Sequence, residues 1–291
     1  MSAQPAGGVL VRPATGPLRE RLAGFRPGLL LSAAVLAAAA VACVSPGLLA
    51  GASPTDADPV AALLPPGTDH WFGTDQLGRD VYARVIHGAR HSLLLGVGAT
   101  ALGVLVGLLI GLPAALLGRF ADQAAMRGMD IMLALPELLL ALLVIAVVGP
   151  SSVNAALAIA VASVPGYARL IRGQAQVVRR AEYIRSAIGL GLRRRTVVLR
   201  HVLPNTLGPL VVPATLGVGT AIISGSALSF LGLGPKAPTP EWGAMLAQGR
   251  DALQSAWWIA VFPGAAITVS VIAVTVVGRH LHIGLEGRPG A

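Results

Sequence analysis

Glu137 stands out among the thirteen acidic residues because it sits within a long apolar stretch, residues 129–149. A carboxylate at membrane depth is costly to keep and marks an ion path, a substrate contact or an anchoring contact. Its place directly after Pro136, near the end of that stretch, favours anchoring to water or a basic neighbour. Asp56, Asp58, Asp69, His70 and Asp75 gather upstream, but the central glycine and terminal glutamate of a calcium loop are missing, so they read as solvated loop carboxylates. The single lysine, Lys236, lies between Pro235 and Ala237, which excludes a phosphate-cradling Gly-x-x-x-x-Gly-Lys-Ser/Thr loop. The six histidines lack metal-ligand spacing, and there is no Gly-x-Ser-x-Gly elbow. The side chains for bond-making are therefore not assembled here, and no cofactor or metal is expected in this chain.

The other informative cluster is basic. Residues 181–205 read AEYIRSAIGLGLRRRTVVLRHVLPN, a polar insert between two apolar runs. Helical spacing puts Ile184, Ala187 and Ile188 on one face and turns Arg185 away. Gly191 divides the insert, Val197, Val198 and Val202 supply apolar contacts in the second half, and Pro204 is expected to end it. Two short amphipathic helices hinged at a glycine on a membrane core form a docking surface for an aqueous partner. Gly191 is expected to reject large or acidic side chains.

The elements that position these residues are membrane spans. The chain is 54% hydrophobic and 12% charged over 291 residues, with a mean hydropathy of +0.72. That composition describes an all-α polytopic membrane protein rather than one soluble core. Six stretches reach the length of about 20 apolar residues that a span requires: 28–50, 92–118, 129–149, 152–171, 206–232 and 257–278. Residues 1–27 and 279–291 are tails, 51–91 an external segment, 92–278 a five-helix core, and 172–205 its polar loop. Residues 75–91, capped by Thr74 or Asp75, read as an interfacial helix with Leu77, Val81 and Val85 on one face.

Sixteen lysine or arginine residues fall in loops on the side of the N-terminus and five on the other. The positive-inside rule then places both termini and the basic insert in the cytoplasm. The first stretch exceeds an ordinary signal-peptide core and reads as an uncleaved anchor. A net charge of +9 without arginines interleaved among aromatics excludes nucleic-acid binding. Cys43, alone in an apolar run, offers no disulfide.

Two strips of small residues, Gly103–Gly107–Gly111 and Gly217–Ala221–Gly225, recur every fourth residue and suit close helix contact. Packing within one subunit is favoured over contact with a second. Prolines 113, 136, 165, 213 and 263 are expected to kink or loosen spans. No cluster of placed polar groups is visible in the spans, so a transport path here is expected to be permissive.

At residues 185–204 the chain resembles the integral-membrane subunits of binding-protein-dependent ABC importers. Their signature is Glu-Ala-Ala, three residues, Gly, nine residues, then Ile-x-Leu-Pro. Arg185, Ser186 and Ala187 occupy the first three places, Gly191 is the glycine, and His201-Val202-Leu203-Pro204 closes the motif, with Glu182 and Tyr183 just ahead.

Gly73-Thr74-Asp75-Gln76-Leu77-Gly78-Arg79-Asp80 is similar to the outer signature of one branch, the second permease subunit of dipeptide and oligopeptide importers. Val164–Arg169, Ser229–Gly234, Trp242-Gly243 and Phe262-Pro263-Gly264 continue the likeness. Arg185, Gly225 and Arg279 depart from it, each standing where an acidic residue is common. The resemblance implies the ABC type I importer permease fold in a prokaryotic cytoplasmic membrane. It also implies a heterodimer with a second permease subunit, cytoplasmic ATPases that bind the ATP and magnesium, and an external peptide-binding protein. Branch members carry dipeptides, oligopeptides, glutathione-like peptides or nickel. A self-sufficient secondary transporter is the rival reading, opposed by the absence of visible repeats and of midplane acids.

Overall fold

The computed structural model describes residues 27–286. Apart from one isolated bridge between Thr74 and Asp80, its regular structure is helical among the described residues. Helix α1, Pro27–Val44, opens on a proline, whose missing N–H costs nothing in a first turn. It buries only Ser32 and Ala42 and lies at the edge of the bundle against α2 (Val81–Leu116) and α9 (Trp258–Glu286).

Helix α2 is longer than expected and begins earlier. The segment read as a separate interfacial helix is a turn over 74–80 followed directly by α2. Asp80 caps it, accepting from the Ala83 N–H at 2.7 Å. Val81 and Val85 are buried against Met245, Trp258 and Ile259, and Leu77 is exposed. At 1.5 Å per residue the 36 residues reach about 54 Å, well beyond a hydrocarbon core of about 30 Å. Helix α2 is thus longer than a span requires, and its first turns are covered by protein.

The span expected over 129–149, with Pro136 kinking or loosening it, is broken at that proline. Helices α3 (Arg119–Leu133) and α4 (Glu137–Val148) meet at 92°. Pro136, at φ −54° and ψ 138°, holds extended backbone there and disfavours helix in the residue before it. By contrast, Pro113, Pro165 and Pro263 lie inside continuous helices. Among the described residues five helices are long and apolar enough to cross a membrane, and six if the bent pair counts as one. The chain is thus an all-α, multi-span protein.

Gly149 (φ +87°) and the Ser151 cap on the Asn154 N–H turn α4 into α5, Ser152–Arg180. This helix runs past the expected end at Ile171. It is the hub of the bundle, burying Ala155, Ala158, Ile159, Ala168, Ile171 and Ala175 against α2, α3, α4 and α7.

After α6 (Glu182–Gly189), the helix α7 runs continuously over Arg194–Phe230. Pro204 does not end the second half of the basic insert. A π turn at Val198–Val202 precedes it, and a 3-10 turn follows at Gly208–Leu210. Widening the turn relieves the clash of a proline ring with the preceding carbonyls, so the helix passes through. Helix α8, Trp242–Arg250, is capped by Glu241. Helix α9 carries on through Arg279, which belongs to the helix rather than to a tail.

Candidate coupling surface and membrane path

The basic insert is bolted to the bundle by a small apolar knot. Ile184 is buried with Val197 and Val202 against Ala115 of α2 and Ala175 of α5. Arginines complete the attachment. Arg179 donates to the Ala115 carbonyl at 2.9 Å, and Arg194 donates to the Leu116 carbonyl. Carbonyls in the last turn of a helix lack intrahelical partners, and cations there also meet the negative end of its dipole. The insert is therefore tied to the C-terminal end of α2.

The opposite side of α6 is open. Tyr183 is 48% exposed and Ile188 58%, and Leu190 in the turn reaches 83%. Ile188, expected inside with Ile184, thus joins the outward surface. Ala187 is half-buried, and Glu182, Arg185 and Ser186 are exposed. Gly191 has φ +81°, its N–H bonds the Ile188 carbonyl at 2.9 Å, and nothing lies within 4 Å of where a Cβ would stand. The glycine is there for its left-handed backbone, as at many helix C-termini, rather than for space within this chain.

His201, Leu203 and Pro204, which close the motif, lie at the root of α7 and shape its π turn. His201 and Leu203 are half-buried there and Pro204 is exposed. Arg185 lines a cavity of about 380 Å³ with Arg179, Arg180 and Gln176.

Both small-residue strips face helices of this chain. A Cβ on Gly107 would lie 2.7 Å from the Tyr167 Cβ, while Gly103 abuts the Ser163 hydroxyl and Gly111 the Ala168 carbonyl, all on α5. On α7, Gly217 abuts the Tyr167 hydroxyl, Gly225 abuts Leu95, and Ala221 is buried in the core with Ala99 and Ile159. These approaches close the helices around α5.

They also shape a concavity of about 440 Å³ between α2, α4, α5 and α7. Glu137 lines it, together with Thr100, Ser163, Tyr167 and Thr220. Nearby, Arg172 pairs with Asp122 and Arg169 with Asp130, fastening α3 to α5.

A buried charge cluster at the N-terminal end of α2 was not anticipated. Asp75, taken as solvated, is 3% exposed. Its carboxylate accepts from Arg79 Nε at 2.7 Å and lies 3.5 Å from Nε of Arg84, which is 1% exposed. Arg84 also donates to the carbonyls of Pro54 and Pro238, and Gln76 donates to the Gln248 carbonyl at 2.9 Å. Trp258 Nε1 donates to the Thr74 carbonyl at 3.0 Å. The 73–80 signature is thus a clasp joining the outer segment to α8 and α9. Glu241 is the second missed acid. It is buried, accepting from the Gly243 and Ala244 N–H groups and from the Ser92 hydroxyl. The i, i+4 spacing of Asp75 and Arg79 was the available signal for the clasp. Glu241 directly before the Trp-Gly pair was the signal for the cap.

The chain is similar to known proteins. The chain is 43% identical over 239 residues to a dipeptide transport system permease protein of Alkalihalophilus pseudofirmus, covering 82% of this chain and 79% of that one. It is 44% identical to a di/tripeptide transport system permease protein of Pseudomonas aeruginosa, over 74% of this chain and 71% of the relative. A glutathione transport system permease protein of Escherichia coli O1:K1 is 44% identical, over 76% and 73%. A crystal structure of an amino acid ABC transporter with histidines superposes with a TM-score of 0.52 at 18% identity, over 70% of this chain and 94% of that one, and shares the fold. The family model for the binding-protein-dependent transport system inner membrane component matches residues 103–286, and with the multi-span bundle and the glycine-hinged insert this places the chain in that family of inner-membrane permeases.

Proposed function

We infer that this chain is one permease subunit of an ATP-driven peptide importer, and that its work is mechanical. The observation that carries the reading is the two-sided insert. One side is locked by Ile184, Arg179 and Arg194 into the bundle, and the other presents Tyr183, Arg185, Ile188 and Leu190 to a partner. A partner ATPase gripping that face would move α2 and α7 together and bias the concavity between inward- and outward-open arrangements. ATP and magnesium belong to the ATPase, a second permease subunit supplies the other half of the path, and an external binding protein delivers the cargo. Relatives named for dipeptide, di/tripeptide and glutathione transport support a short peptide as that cargo.

Reconstitution tests this directly. Proteoliposomes holding this chain, the second permease and the ATPases should accumulate a dipeptide only when ATP and the binding protein are both supplied. Accumulation driven by an ion gradient without ATP would establish the secondary-transporter reading instead.

The orientation rests on the sixteen-to-five basic asymmetry. Two of the outer arginines, Arg79 and Arg84, are buried on Asp75, which leaves the outer surface with still less free positive charge. In a background with Cys43 replaced, Val60→Cys (93% exposed) should react with an impermeant thiol reagent in intact cells, and Leu190→Cys should react only after lysis. The reverse pattern would invert the topology.

A further inference from the structure

Helices α3 and α4 carry three carboxylates whose surroundings differ. Asp122 and Asp130 are ion-paired with arginines of α5. Glu137 has no ion-pair or side-chain hydrogen-bond partner among the described residues, is exposed, and lines the 440 Å³ concavity. It stands in the first turn of α4. No lysine, arginine or histidine shares the lining, and much of the remaining wall, including Leu140 and Ile159, is apolar. The concavity thus offers one carboxylate with no cation among its lining residues.

A second observation at the same wall points to a ligand. Thr206, Thr215, Thr220, Thr268 and Thr275 each return their hydroxyl to the carbonyl four residues earlier. Thr100, in the middle of α2, does not. It is 5% exposed, and its enclosed Oγ1 has no hydrogen-bond partner among the described residues; the residue lies between this concavity and an apolar cavity lined by α2 and α7. Buried hydroxyls are almost always satisfied, because leaving one bare forfeits its solvation. Tyr167, whose hydroxyl fills the space left by Gly217, and the Ser163 hydroxyl supply further polar groups on that wall.

We propose that this concavity is a substrate subsite in which the Glu137 carboxylate receives an ammonium group of the peptide and the Thr100 hydroxyl meets a peptide polar group. The volume falls within the roughly 300–1,000 Å³ of small-molecule sites and suits one or two residues. The path then filters charge rather than being permissive, preferring peptides that bring a cation to this wall. The subsite rests on the reading of the chain as a peptide permease.

The test uses the complete transporter in proteoliposomes, with its binding protein and saturating ATP. Two peptide pairs each differ by one ammonium group: Ala-Lys against Ala-norleucine, and Ala-Ala against N-acetyl-Ala-Ala. The kcat/KM ratio within each pair is measured for wild type, Glu137→Gln and Glu137→Asp. The same binding protein delivers every peptide, so its own preference cancels between variant and wild type. A charge-assisted hydrogen bond lost in the path should lower the ammonium preference about tenfold in Glu137→Gln, with Glu137→Asp keeping most of it. The pair that loses its preference identifies the source, lysine side chain or amino terminus. Unchanged ratios in both pairs for Glu137→Gln overturn the subsite. Equal loss of all four peptides in both variants also overturns it, because that pattern belongs to a structural anchor. Failure of the wild-type transporter to import any peptide would overturn the peptide reading itself.

Discussion

Asp75→Ala should unfasten the outer half of this subunit, at a cost of about 3–5 kcal/mol, the usual penalty for removing one partner of a buried ion pair. Among the described residues Asp75 is the only carboxylate paired with Arg79 and Arg84, and both side chains are almost fully enclosed. Its other oxygen accepts from the Leu77 and Arg79 N–H groups at 2.9 and 3.1 Å. Alanine therefore strands two buried cations and two backbone donors at once. The expected readout is a lower unfolding temperature in detergent, with faster proteolysis in residues 51–80. Asp75→Asn, which keeps an acceptor without the charge, should fall between alanine and wild type. Adding Arg79→Met and Arg84→Met to Asp75→Ala should recover part of the loss, because apolar side chains replace the stranded charges. An unfolding temperature for Asp75→Ala equal to wild type would show that the clasp contributes nothing.

Gly191→Val is expected to leave insertion into the membrane intact while reducing ATP-coupled import at least tenfold. A β-branched residue at φ +81° is strained by about 1–2 kcal/mol. The turn relieves that strain by shifting the exposed face of α6 against its anchored face. Gly191→Asn separates two causes, since asparagine tolerates the left-handed region. Space around the glycine is open in this chain, so Asn should retain most transport if backbone conformation alone matters. Loss with Asn as severe as with Val would mean that the partner ATPase approaches the turn closely. Normal coupling by Gly191→Val would remove the case for docking through this turn. The readout is the ratio of peptide imported to ATP hydrolysed, measured on reconstituted complexes.

Much of the fold could be read along the chain because membrane spans declare themselves locally. Apolar length set the number of long helices, with Pro136 the place where one of them failed. The glycine-centred insert was legible for the same reason: periodicity, a glycine and a basic run are all short-range features. Helix limits were read less well. Helices α2 and α5 extend past their apolar runs because tertiary partners cover their polar ends, including Arg84 at one end and Arg179 at the other.

What the sequence by itself determined was a multi-span helical permease with a hinged cytoplasmic-type insert, since each of those rests on residues within one or two turns of one another. Tertiary structure alone decided that Asp75 is buried rather than solvated. It also decided that Ile188 faces outward, and that both small-residue strips close on helices of this chain. Above all, it gathered Thr100, Glu137, Tyr167 and Thr220 around one concavity. These four come from four helices separated by long stretches of chain, and no local pattern records that α5 draws them together. The physical reason is the close approach that Gly107 and Gly217 allow: without side chains there, α2 and α7 close on Tyr167, and polar groups that look isolated in sequence come to share one wall.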